Sequence, residues 1–125
     1  MTNKTLLIVE DHHNLRMSLA EWLSALLPDF EIFLAASGED AIGQVPKINP
    51  TIAIVDVGLP GINGFELTRI LKKNNPDIKI IVLTILDGAD YKIESFSSGA
   101  DAFVNKKEMY NSLPSKIHSF LNSDN

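Results

Sequence analysis

A chain of 125 residues suits one domain and can bury a core without disulfide or metal staples. Hydrophobic residues at 45% and charged residues at 22% make an ordinary globular composition, and the absence of cysteine excludes disulfides, thiolate metal sites and cysteine nucleophiles. The net charge of −5 argues against direct nucleic-acid binding, which needs clustered Lys and Arg. No apolar run nears the roughly 20 residues that span a bilayer. MTNKTLLIVED carries no signal-peptide pattern, so the expected location is the cytoplasm.

TLLIVE (5–10) reads as a first strand. A helix over 13–27 follows, with Leu15, Leu19, Trp22, Leu23 and Leu26 at three- and four-residue spacing. EIFLAA (31–36) is a second strand. The next helix opens at SGED, where Ser37 can cap and Asp40 holds the capping-box position, and it is expected to end before Pro46. TIAIVD (51–56) is a third strand, leading through a Gly/Pro/Asn-rich loop to a helix over 64–74. That helix turns Phe65, Ile70 and Leu71 inward and stops before Pro76. KIIVLT (79–84) is a fourth strand. The helix over 88–98 has only Tyr91, Ile93 and Phe96 as bulky apolar residues, ends at Gly99, and is expected to dock least firmly. AFVN (102–105) is a fifth strand. The last helix is expected to start with Asn111 as cap, placing Pro114 in its first turn. The domain covers the whole chain, with its core over 4–121 and a frayed polar tail at 122–125.

Strands alternating with helices predict a doubly wound α/β domain, and four nearly continuous apolar strands predict a parallel sheet covered on both faces. Right-handed crossovers leave few topologies, and five strands favour the flavodoxin-like order 2-1-3-4-5. Sites in such sheets form beyond the carboxyl ends of the strands, where the order reverses between strands 1 and 3. Glu10 and Asp11 end the first strand and Asp56 ends the third, so three carboxylates are expected in one crevice. Like charges that close need a cation, and oxygen ligands suit Mg²⁺, with Mn²⁺ as a substitute. Thr84 and Lys106 bring a hydroxyl and an ammonium to the same edge. Those groups around an Asp are what an anionic phosphoryl group on it would need.

IVED (8–11), IVDVGLPGINGFEL (54–67), IVLT (81–84) and GADAFVNK (99–106), in that order, closely resemble the receiver domain of two-component response regulators. The resemblance covers nearly the whole chain. It implies that Asp56 is the phosphoacceptor, that Glu10, Asp11 and the Gly58 backbone carbonyl hold Mg²⁺ together with Asp56, and that Lys106 pairs with the phosphoryl oxygens. It further implies that Thr84 is the switch hydroxyl and Phe103 the aromatic that follows it. Phosphoryl transfer from a histidine kinase, a phosphotransfer protein or a small phosphodonor would then alter the surface of helix 4, strand 5 and helix 5. That surface would meet a partner or a second copy of the chain, giving a signalling phosphoacceptor rather than a turnover enzyme. EDHHNLR (10–16) and VLTILDGADY (82–91) lean towards receivers attached to helix-turn-helix DNA-binding domains. Nothing after residue 121 has room for such a domain, and a stand-alone receiver and a piece of a longer regulator both fit the sequence.

Competing readings fit less well. A phosphatase with an aspartate nucleophile needs a second Asp where Gly58 stands, and a flavin domain needs a phosphate-cradling loop where the acidic EDHHNLR stands. Retention of all five site residues argues against a degenerate receiver used only as a docking scaffold, while Ile85 keeps that alternative open. His12 and His13 invite a transition-metal reading, but neighbours at a helix start are expected to diverge. Ile85 is bulky where many receivers have a small residue, which predicts slow reaction with small phosphodonors. Lys107 replaces a common proline, so the bond before it is expected to be trans and its side chain to lie at the surface. Trp22 lies about 16 Å along the helix from Asp11 and is expected to report metal binding poorly.

Overall fold

The computed structural model describes residues 4–85 and 88–122. Of the expected polar tail only Asn122 falls within them; residues 123–125, and residues 86–87 of the segment 82–91, lie outside the described residues. Five parallel strands, β1 (Lys4–Val9), β2 (Phe30–Ala35), β3 (Ile52–Asp56), β4 (Lys79–Thr84) and β5 (Ala102–Asn105), form one sheet in the order β2-β1-β3-β4-β5. The helices are α1 (His13–Leu26), α2 (Gly38–Ile48), α3 (Gly64–Asn74), α4 (Ala89–Ser97) and α5 (Met109–Asn122), the last preceded by a 3-10 turn at Lys106–Glu108. The flavodoxin-like order expected from the sequence is the observed one.

The sheet divides the core in two because successive side chains on a strand point to opposite faces. Leu7, Val9, Ala53, Val55, Ile80 and Val82 pack with Ala41, Val45, Leu67 and Leu71 of α2 and α3. Leu6, Ile8, Ile52, Ile54, Ile81 and Leu83 pack with Leu19, Leu23, Leu113 and Ile117 of α1 and α5. Both sets are buried, so β1, β3 and β4 carry no polar alternation.

Several local expectations give way to packing. Helix α2 does not stop before Pro46 but runs to Ile48, where Asn49 adopts a left-handed conformation (φ 47°) and its N–H bonds Val45 O at 2.8 Å. Pro46 is exposed while Val45 one residue earlier is buried, so the helix carries the proline on its outer face. Asn111 does not cap the last helix. It lies inside α5, while Asn105 caps the 3-10 turn ahead of that helix, its Oδ1 accepting from Lys107 N at 2.8 Å, and Pro114 also lies inside α5. In α1, Leu26 is exposed and Leu27 is buried instead, because the helix ends there and the backbone turns (φ −124°, ψ 70°). In α3 the deepest residues are Leu67, Thr68 and Leu71, with Phe65 and Ile70 half-buried.

Helix α4 is docked unlike the others. Its one buried residue is Ser95, while Tyr91, Ile93 (62% exposed) and Phe96 face solvent. Ser95 Oγ donates to Tyr91 O and Ser98 Oγ to Ser95 O, so the underside of α4 is satisfied internally. An ion pair between Arg69 and Glu94 ties it to α3. This agrees with the weak docking expected from its sequence.

Candidate functional site

The carboxyl ends of β1, β3, β4 and β5 gather the chemistry. Glu10 follows β1 directly and its N–H continues the ladder to Ala35 O at 3.1 Å, which fixes the backbone that aims its carboxylate. Asp56 is the last residue of β3, opposite Leu83 of β4, and Thr84 is the last residue of β4, opposite Asn105. Glu10, Asp56 and Thr84 are 1%, 4% and 2% exposed. Burial this deep requires partners for the two charges.

Lys106 supplies one. Its ammonium lies 2.9 Å from Glu10 Oε1 and 3.1 Å from Asp56 Oδ1, bridging the two strand ends. The Asn105 cap that starts the turn after β5 places the lysine there. Its peptide bond to Lys107 is trans, and Lys107 is exposed. Burial acts to raise the Glu10 carboxyl, but hydrogen bonds from Lys106 and His12 outweigh it and hold the group below its usual range. Asp56 goes the other way: burial and the neighbouring Glu10 charge raise it, only partly offset by Lys106 and a backbone hydrogen bond from Gly58. Burial would lower Lys106, yet the contacts with Glu10 and Asp56 leave it raised. One half-buried cation is thus shared by two buried acids, and Asp56 is the less satisfied of them.

Asp11 is partly exposed, but its Oδ1 is buried and accepts no hydrogen bond among the described residues. A buried carboxylate oxygen that accepts no hydrogen bond, with the His12 imidazole 3.5 Å away, is costly, and a cation removes that cost. The donor set of Glu10, Asp11 and Asp56 is hard oxygen, which fits Mg²⁺. Gly58 lies in the β3–α3 loop beside Asp56, where an added Cβ would meet the Asp56 carboxylate at 3.8 Å.

Phe103 is half-buried on β5 and, unlike its neighbours Ala102 and Val104, joins neither core cluster among the described residues. Ile85 follows Thr84 and is 66% exposed.

Three residues that the sequence reading gave no role in the site also shape it: His12, whose metal reading it set aside, and Asn63 and Gly64, which it did not single out. His12 turns its ring back, with Nδ1 3.0 Å from Glu10 Oε2, and the two neighbouring acids raise its pKa. Asn63 caps α3, its Oδ1 accepting from Phe65 N and Glu66 N at 3.0 Å each. Gly64 starts that helix so close to the end of β3 that a Cβ would stand 2.3 Å from Asp56 O. Asn-Gly before an apolar helical run is a cap signal, and it marks both residues in the sequence.

The arrangement meets its relatives at this point. The model of the response regulator receiver domain matches residues 6–118. The transcriptional regulatory protein DegU of Brevibacillus brevis is 33% identical over 106 residues, covering 84% of this chain and 45% of DegU. A DNA-binding response regulator of the LuxR family from Staphylococcus aureus superposes with a TM-score of 0.85 at 29% identity, covering 95% of this chain and 99% of that one. The response regulator protein TrrA of Thermotoga maritima, in complex with Mg²⁺ and BeF, superposes with a TM-score of 0.83 at 32% identity, covering 94% and 98%. The chain spans about half the length of several curated relatives it matches. No helix among the described residues is long and apolar enough to cross a membrane. With the matched segment running through nearly every element of the sheet, the chain belongs to the response regulator receiver domain family.

Proposed function

We propose that this chain is a phosphorylation-controlled signalling module that accepts a phosphoryl group on Asp56. The observation that carries this is the Lys106 ammonium held between Asp56 Oδ1 and Glu10 Oε1 at the mouth of the sheet. A histidine kinase, a phosphotransfer protein or a small phosphodonor would present phosphorus to the Asp56 carboxylate. The carboxylate oxygen forms the new O–P bond in line as the P–N bond to the donor breaks, and the leaving nitrogen keeps the electron pair. A Mg²⁺ ion held by Glu10, Asp11, Asp56 and the Gly58 carbonyl would neutralise charge on the transferring group, and the Mg²⁺–BeF complex of TrrA supports that choice.

Lys106 begins on the Asp56 carboxylate and would move onto the phosphoryl oxygens, so the cation is in place before charge develops. Thr84, one residue beyond the β4 partner of Asp56, would donate its hydroxyl to the same group. Its inward shift frees room for Phe103, which is anchored in neither core cluster. The poorly anchored α4 and the surface it makes with β5 and α5 would then change, controlling a partner, a second copy or a DNA-binding domain in a longer parent protein. Water later attacks phosphorus and restores the carboxylate.

Borohydride trapping tests the assignment. Protein treated with phosphoramidate and Mg²⁺, then reduced, converts an aspartyl phosphate to homoserine. Peptide mapping is expected to find it only at the position after Val55; homoserine elsewhere would overturn the assignment.

A further inference from the structure

Phosphoryl chemistry gives no role to the imidazole of His12, which lies beside the pocket's carboxylates. Its Nδ1 lies 3.0 Å from Glu10 Oε2 and 3.5 Å from Asp11 Oδ1, and its backbone N–H also donates to Glu10 Oε2 at 3.1 Å. One ligand atom each from Glu10, Asp11, His12 and Asp56 forms a group whose members all lie within 4.8 Å of one another. The expected divergence of the two histidines does occur, since His13 Nδ1 meets Arg16 Nη2 at 3.2 Å instead. Asp11 Oδ1, the buried oxygen that accepts no hydrogen bond among the described residues, belongs to one of the two carboxylates the ring faces.

We propose that His12 Nδ1 is a fourth side-chain ligand of the dication in this pocket, making it a mixed oxygen and nitrogen site. The inference rests on the reading of the acidic pocket as a dication site given above. Carboxylates and water suit hard Mg²⁺, whereas imidazole adds most for Co²⁺, Ni²⁺ and Zn²⁺. A pocket of carboxylates alone already binds those ions more tightly than Mg²⁺, so the distinguishing quantity is the increment that disappears with the ring. The ring is 71% exposed, free to swing onto an ion, and its removal opens no core.

The test uses the whole chain without a histidine tag. Pulsed electron paramagnetic resonance of the Mn²⁺-loaded protein reads nitrogen coordination directly, and calorimetry gives Co²⁺ affinity for the wild type, His12→Ala and His13→Ala. Nitrogen modulation is expected in the wild type and His13→Ala and absent from His12→Ala, with Co²⁺ affinity falling about tenfold or more only in His12→Ala. Modulation absent from the wild type, or persisting in His12→Ala, overturns the proposal. So does a Co²⁺ affinity that changes by less than about twofold. A Mg²⁺-dependent phosphoryl adduct on wild-type protein separates the two levels of the argument. An adduct without nitrogen coordination removes the His12 assignment alone, and nitrogen coordination without an adduct removes the phosphoacceptor reading while His12 stands as ligand.

Discussion

Replacing Lys106 with Met keeps a side chain of similar length and removes the one charge that joins two buried acids. At 2.9 and 3.1 Å, and an effective dielectric of about 20, each attraction is worth about 5.5 kcal/mol. The cost of taking the ammonium out of water, several kcal/mol, offsets much of that. One-sided removal of a buried partner costs about 3–5 kcal/mol, and the slight exposure of Lys106 places this case near about 3 kcal/mol. The pH dependence has a definite sign. With Lys106 gone, burial and mutual repulsion raise the folded-state pKa of the carboxylates above their unfolded values. The cost is then present at neutral pH, fades as the pH falls through the raised folded-state values, and is gone only below about 4, where the carboxyls are protonated in both states. In the wild type the lowered Glu10 contributes stability that is lost only below its ordinary value, as the pH falls through its depressed folded-state pKa, so the gap between the two proteins narrows further in stronger acid. Urea unfolding of metal-free protein, followed by the fluorescence of Trp22, measures this. Trp22 packs edge-on against Tyr110 at 4.7 Å and loses that contact on unfolding. A loss below about 1 kcal/mol at neutral pH, or one that does not shrink in acid, would refute the bridging role.

Asp56→Asn is expected to raise the stability of the metal-free protein at neutral pH, because the raised pKa of Asp56 means its charged form is disfavoured in the fold. The gain should vanish in acid, and a urea midpoint that stays or falls at neutral pH counts against it. Gly64→Ala drives a methyl group into the backbone at Asp56 and Val57 and is expected to cost about 3 kcal/mol or more, readable in the same unfolding curve. Asn63→Ala removes two cap hydrogen bonds and should cost about 1 kcal/mol; no change would mean that water replaces the cap. Ile85→Ala is expected to speed phosphorylation by phosphoramidate, and an unchanged rate would remove any gating role for this exposed side chain.

The sheet was legible because its central strands are buried on both faces, so Leu6–Val9, Ile52–Val55 and Ile80–Leu83 stand out as unbroken apolar runs. The acids at their ends were legible for the complementary reason. A charge just beyond such a run must find a partner, and the strand order names the neighbours. Pro46 and Pro114 misled because proline rules describe an isolated helix, whereas Val45, Leu113 and Ile117 are held by the core whatever one lost hydrogen bond costs. The turn of His12 towards Glu10 follows from side-chain direction at a helix start, which spacing does not encode. The outward apolar face of α4 is similar: composition showed that little there could be buried, not that Ser95 would be the residue inside.

The central claim is that Asp56 takes the phosphoryl group with help from a dication. Intact mass after incubation with phosphoramidate, with and without Mg²⁺ and beside Asp56→Asn, tests it most directly. One phosphoryl adduct that requires Mg²⁺ and is absent from Asp56→Asn is the expected result. An adduct that survives in Asp56→Asn, or none on the wild type with Mg²⁺ after long incubation and after exposure to a cognate kinase, would contradict the account.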